Sequence, residues 1–237
     1  MQPSQRQLSI VSLTALFGFV SSKQLQALLY SELKSNTPYK RDIDELVAGH
    51  YLDRVERQRL IGGANAGSGQ YAYRLGTKGR ELVPDARKTP DRTEVHHSLL
   101  IVECYRILVE LEREGKLTIL GFLTEPESAL KIDRYTLEPD LLVDLARPNG
   151  ANSIRILFEA ERTRKTPRRI RQKLADYWQA YQAADERQWP SQQIILWVTE
   201  TDRQAQSLKW LIEQGKPDEQ KLFRVLTIDN LATALSG

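Results

Sequence analysis

The densest run of reactive charge in this 237-residue chain lies at 162–173. Arg162, Arg164, Lys165, Arg168, Arg169, Arg171 and Lys173 place seven cations in twelve positions, with no acid among them. Cations at that density suit the phosphates of nucleic acid or an acidic partner. The run opens a helical stretch, where the macrodipole favours anions, and phosphate contact would offset that cost. The competing use is a solvated face partly neutralised by Glu159 and Glu161. A thinner set lies upstream: Tyr39, Lys40 and Arg41 begin a helical stretch, Arg57 and Arg59 precede a glycine-rich turn, and Arg74 follows it. A cation near a helix start reaches phosphate or a guanine edge, and a tyrosine hydroxyl reaches phosphate. Asp42, Asp44 and Glu45 on the same stretch work against an anionic ligand.

The elements that must position the upstream set read as three helices and a hairpin. Leu8, Val11, Leu13, Leu16, Phe17 and Val20 recur at helical spacing. Ser22 is placed to cap a second helix, Lys23 to Tyr30. Asn36, just before Pro38, caps a third that runs to about Gly49 and turns Ile43, Leu46 and Val47 inward. Tyr51 to Glu56 and Gln70 to Leu75 alternate as strands around the tip Gly62 to Gly69, and Thr77 to Leu82 closes with a short helix. That order predicts a winged helix-turn-helix domain over 1–85. Its third helix would enter the major groove of double-stranded DNA, and its hairpin would track the minor groove or the phosphates.

Residues 86–93 are polar and read as a linker. From 94 to 237 the pattern is a long helix at Val95 to Glu114, then strands at Leu117 to Leu123, Tyr135 to Leu145 and Ile154 to Glu161. A helix at Lys165 to Ala184, a strand at Gln193 to Thr199, a helix at Asp202 to Gln214 and a strand at Phe223 to Ile228 complete it. This order predicts a mixed sheet flanked by helices, so the whole chain is of α+β or α/β class.

Charge is unevenly shared. Residues 1–90 hold 13 Lys/Arg against 8 Asp/Glu, whereas 91–237 hold 21 against 23. The positive excess therefore sits where DNA contact is expected. One cysteine, Cys104, excludes an internal disulfide and fits a reducing cytoplasm. No apolar run reaches the roughly 20 residues of a membrane span, and the N-terminal segment has no signal-peptide pattern. His96 and His97 point about 100° apart on a helix, so they make a poor metal pair.

His97-Ser98-Leu99-Leu100-Ile101-Val102, Glu138-Pro139-Asp140, Phe158-Glu159-Ala160-Glu161-Arg162-Thr163, Lys173-Leu174 and Tyr177 occur in series after the winged-helix pattern. This series resembles the replication-relaxation family of plasmid and mobile-element proteins. The resemblance implies a role in plasmid replication, relaxation or mobilisation. The same series is similar to the PD-(D/E)xK nuclease fold, which implies a restriction-endonuclease-like second domain. In that fold one strand carries an acid and the next an acid-x-Lys. The resemblance makes Asp140 and Glu159 the acids that would hold Mg²⁺, with Glu103 as an accessory acid. The lysine position holds Glu161, so Lys165 or Lys173 would have to supply the ammonium. With a carboxylate at that position, the expectation is a scaffold without catalytic activity or cofactor.

The resulting expectation is a two-domain, cytoplasmic, homodimeric protein that binds double-stranded DNA. It would act in replication, mobilisation or transcriptional control, beside a relaxase, replication initiator or transposition protein. Two other readings compete. One is a Mg²⁺-dependent DNA nuclease using Asp140 and Glu159, with Glu161 and Lys173 nearby. The other is a protein-interaction adaptor.

Overall fold

The computed structural model describes residues 2–58, 70–84, 86, 94–148, 153–161, 166–185, 187–190 and 192–236. The tip at 62–69, Arg59, Arg162, Arg164 and Lys165 lie outside the described residues, as does most of the 86–93 segment. Two compact units emerge, Met1–Arg106 and Ile107–Gly237, and their division falls within the helix Val95–Arg113.

The first unit opens with three helices, α1 (Gln5–Phe17), α2 (Ser22–Leu29) and α3 (Thr37–Ala48). Ser4 with Gln7, and Ser21 with Gln24, form reciprocal caps that satisfy the first amides of α1 and α2. A strand, β1 (Val20–Ser21), interrupts the apolar pattern that was expected to continue as helix through Val20. Gly18 ends α1 at φ 78°, a conformation that glycine adopts without strain. At α3 the amide of Thr37 donates to Ser35 Oγ (3.2 Å), whereas Asn36, the expected cap, makes no such bond. Strands β2 (Leu52–Gln58) and β3 (Gln70–Leu75) follow, then α4 (Thr77–Leu82). The sheet has the antiparallel order β1-β3-β2. Phe19, Val55 and Ala72 join Val95 and Leu99 in one buried cluster.

The helix α5 (Val95–Arg113) leads to β4 (Thr118–Thr124). The second unit is built on a five-stranded sheet of order β10-β9-β8-β7-β4. Here β7 is Leu141–Ala146, β8 Ser153–Glu161, β9 Gln193–Thr199 and β10 Phe223–Thr227. β8, β9 and β10 are parallel, whereas β4, β7 and β8 pair antiparallel, so the sheet is mixed. Helices α6 (Pro167–Ala183), α7 (Asp202–Glu213), α8 (Pro217–Gln220) and α9 (Ile228–Ser236) complete it. Leu142, Leu157, Ile195 and Trp197 from the sheet pack with Ile170, Leu174, Tyr177 and Ala180 of α6 and Leu208 and Leu211 of α7.

The stretch expected as one strand from Tyr135 to Leu145 is broken. A short hairpin of β5 (Leu130–Ile132) and β6 (Tyr135–Leu137) ends before Glu138, and β7 begins at Leu141. Glu138-Pro139-Asp140 is therefore a connection and not part of a strand. Pro139 has no amide for a ladder, which forces the interruption. Its carbonyl accepts from Ser128 Oγ (2.6 Å), which fixes the turn. Among the described residues no helix is long and apolar enough to cross a membrane.

Candidate functional site

The second unit assembles its buried charges at one end of β8. Leu141 pairs with Phe158, so Asp140, one step beyond the ladder, comes opposite Glu159. Side chains alternate along a strand, which sends Leu157, Glu159 and Glu161 to the α6 side of the sheet. Glu159 is 0% exposed, Asp140 3% and Glu161 4%. Such carboxylates need partners, because burying an uncompensated charge costs on the order of several kcal/mol.

α6 supplies the partners of Glu159. Lys173 Nζ donates to Glu159 Oε2 at 2.5 Å and to the Glu138 carbonyl at 3.3 Å. Tyr177 Oη donates to Glu159 Oε1 at 2.5 Å. Lys173 and Tyr177 lie four residues apart and so share a helix face. Asp140 Oδ2 accepts from the amide of Ala160 (2.7 Å). Burial and the nearby Asp140 charge raise the Glu159 carboxyl to about 7, against the pull of Lys173 and Tyr177. Burial also pushes the Tyr177 phenol well up, with the Glu159 charge adding to it. For Lys173 burial works downward, but Glu159 and Asp140 together raise it, so the ammonium persists. A cleft of about 330 Å³ opens beside this cluster, lined by Glu125, Glu138, Arg169, Lys173, Asp176 and Tyr177.

Of the sequence candidates, Asp140, Glu159 and Lys173 converge, and Glu161 is buried on the same face. Arg168 is exposed, and Arg169 is exposed at the cleft; Arg164 and Lys165 fall outside the described residues. Glu103 lies in the first unit, where it accepts from Gln24 (3.0 Å) and pairs with Arg106 (2.7 Å). Tyr177 was missed as a polar partner. Its sequence signals are the four-residue spacing from Lys173 and its place in the series that carries the family resemblance.

These residues do not fit a divalent cation. Mg²⁺ takes carboxylate oxygens in near-octahedral geometry. Both oxygens of Glu159 already accept from Tyr177 and Lys173. No group of three or more His, Cys, Asp or Glu among the described residues is arranged to hold a metal.

In the first unit α3 divides its residues differently from the expected pattern. Lys40 and Arg41 are exposed, as expected, and Ile43 and Leu46 are buried. Tyr39, expected outward, is 5% exposed and stacks edge-on against Tyr30 at 5.4 Å. Its hydroxyl lies by Ser22, Gln26 and Tyr73, so it cannot meet phosphate. Asp42 is also buried, accepting from Tyr30 Oη (2.7 Å), with Arg6 and Arg41 within 3.8 and 3.6 Å. Arg54 pairs with Asp44 (3.2 Å) and lies 4.7 Å over the Tyr71 ring. Arg74 pairs with Asp53 (3.3 Å), so it faces a carboxylate and not open solvent. Arg57 falls on β2, and its side chain lies outside the described residues.

A family model for replication-relaxation proteins matches residues 13–198. The chain belongs to the replication-relaxation family. The matched span covers most of both units, from α1 through β9. Membership of the replication-relaxation family fits a role in the replication of a plasmid or mobile element. No curated protein matches the chain. Among solved structures, the restriction endonuclease FokI bound to DNA is similar at 12% identity and a TM-score of 0.31. That match covers 98% of this chain and 44% of the FokI chain, so this chain spans less than half of that one. A likeness at that TM-score carries no argument about fold or function.

Proposed function

We propose that this replication-relaxation protein binds double-stranded DNA through its first unit, acting as a winged helix. In this reading the second unit is a nuclease-type scaffold that does not cut. The single observation that carries it is the division of α3. Tyr39, Asp42, Ile43 and Leu46 are buried, while Lys40 and Arg41 stand exposed near a helix start that has no acid in its first turn. A helix N-terminus with exposed cations is a ready site for a phosphate or a guanine edge, although Arg41 also lies 3.6 Å from Asp42. The antiparallel order β1-β3-β2 behind it supports the same reading. The protein would act at a plasmid or mobile-element locus, as a homodimer on a two-fold site, in replication, mobilisation or transcriptional control.

A gel shift with DNA flanking the gene, titrated with salt, tests the proposal. Salt-sensitive retardation that weakens in Lys40→Ala and Arg41→Ala supports it. Absence of salt-sensitive binding overturns it and favours a protein-docking module. Incubation of plasmid with Mg²⁺ or Mn²⁺ tests the second unit separately. Cleavage that vanishes in Asp140→Asn would overturn the non-cutting half.

A further inference from the structure

We infer that the ammonium of Lys173 is the resident counter-ion of the buried Asp140–Glu159 pair, filling by covalent tether the role a dissociable divalent cation would otherwise have. The inference rests on the non-cutting reading of the second unit and is indifferent to DNA recognition by the first. Its failure and the loss of a gel shift are therefore separate outcomes.

Three observations lead to it. First, the charge set is closed by protein groups: Glu159 is wholly buried, and both its oxygens accept from α6 side chains. Second, Lys173 Nζ also reaches the Glu138 carbonyl, two residues before Asp140. The ammonium thus bridges the two chain segments that bear the acids. Third, the tether is rigid, because Ile170, Leu174 and Tyr177 on the same helix are buried in the core of the unit. A cation held on a docked helix loses little freedom on pairing. A free Mg²⁺ ion would have to shed tightly held water and displace the ammonium from Glu159.

The consequence is a dormant cation site that opens only when Lys173 is removed. Lys173→Met keeps the apolar stem and deletes the charge. Thermal unfolding of the full chain, with and without millimolar MgCl₂ or MnCl₂, reads the outcome. The wild-type midpoint should not respond to either salt beyond an equal dose of ionic strength. Lys173→Met should melt roughly 10 °C lower, because a buried carboxylate loses its partner. Added Mn²⁺ should then recover part of that loss. Glu159→Gln in the same chain should recover stability without metal and abolish the Mn²⁺ response. Lys173→Arg should keep the wild-type insensitivity.

Specific stabilisation of the wild type by Mn²⁺, lost in Glu159→Gln, would overturn the inference. So would a Lys173→Met variant that melts like the wild type or ignores Mn²⁺. If Lys173→Met alone does not fold, the double variant decides. A folded Lys173→Met/Glu159→Gln chain supports the resident ammonium, and an unfolded one overturns it.

Discussion

Tyr177→Phe isolates one bond to the buried acid, and its effect should depend on pH. The substitution removes a hydroxyl that donates to Glu159 Oε1 at 2.5 Å and leaves the ring in the core. The Glu159 carboxyl titrates near 7 in the folded protein against an ordinary 4.5, because burial and Asp140 disfavour its charge. The folded state thus keeps this proton to higher pH than the unfolded chain does. Its contribution to stability is full below about 4.5 and is lost as pH rises to about 7. The gap corresponds to about 3 kcal/mol.

At pH 8 the carboxylate is charged, and a hydrogen bond to it is worth about 2–3 kcal/mol. At pH 5 it is protonated, and the same bond is worth about 1 kcal/mol. Tyr177 also favours the ionised form, so removing it raises Glu159 further and steepens the loss with pH. The other charges at this end of the sheet are Asp140, Glu161, Lys173 and Glu125. Asp140, Lys173 and Glu125 remain in the variant, as does Glu161. Urea unfolding followed by tryptophan fluorescence, run on both proteins across pH 5–8, measures the difference. Trp197 lies beside Glu159 on the adjacent strand and reports this core. An equal loss at both ends of the range, or a larger one at pH 5, would refute an ionised Glu159 held by Tyr177.

Other substitutions test the first unit and the sheet edge. Lys40→Ala should weaken DNA binding about equally across sequences if it meets phosphate, and lower the salt slope by about 1 in a gel-shift titration. Tyr30→Phe deletes the 2.7 Å bond to buried Asp42 and should cost about 1–2 kcal/mol in thermal unfolding, with Arg6 and Arg41 still near the carboxylate. Gly79→Ala would place a Cβ 2.2 Å from the Tyr51 carbonyl, so α4 must shift, at a cost of about 1–3 kcal/mol. Gly121→Ala, with nothing within 4 Å of the new carbon, should be neutral or slightly stabilising by the same melt.

The long elements were legible because their apolar periods are sustained. β3 and β9 fall on the expected residues, and α3, α5 and α7 agree to within a residue at their ends. Short elements were less legible, although α4 falls on the expected Thr77–Leu82. β1 is two residues long and continues the apolar spacing of α1, so only Gly18 marks the change. The β5–β6 hairpin vanished into a longer alternating run, although Pro139 gave the reason to cut it. At the site, an ammonium supplied from α6 was foreseeable from Glu161 standing in the lysine position. Its identity as Lys173 needed the register of α6 over β8. Tyr39 and Asp42 misled because polar side chains on a helix were expected to face water. Here each is buried beside Tyr30, whose hydroxyl bonds Asp42 and whose ring packs on Tyr39.

The grip of α6 on Glu159 has a mechanical side. Lys173 and Tyr177 project from successive turns of one helix face and close on the two oxygens of a single carboxylate. A helix seated on greasy contacts alone can slide or roll over a sheet at small cost. One held by two teeth in a fixed notch cannot do so without breaking both bonds. The same notch therefore sets the bearing of everything rigidly attached to that helix, including exposed Arg168, Arg169 and Arg171. A single hidden carboxylate indexes an outward row of guanidinium groups, so the aim of that row is decided from inside the protein.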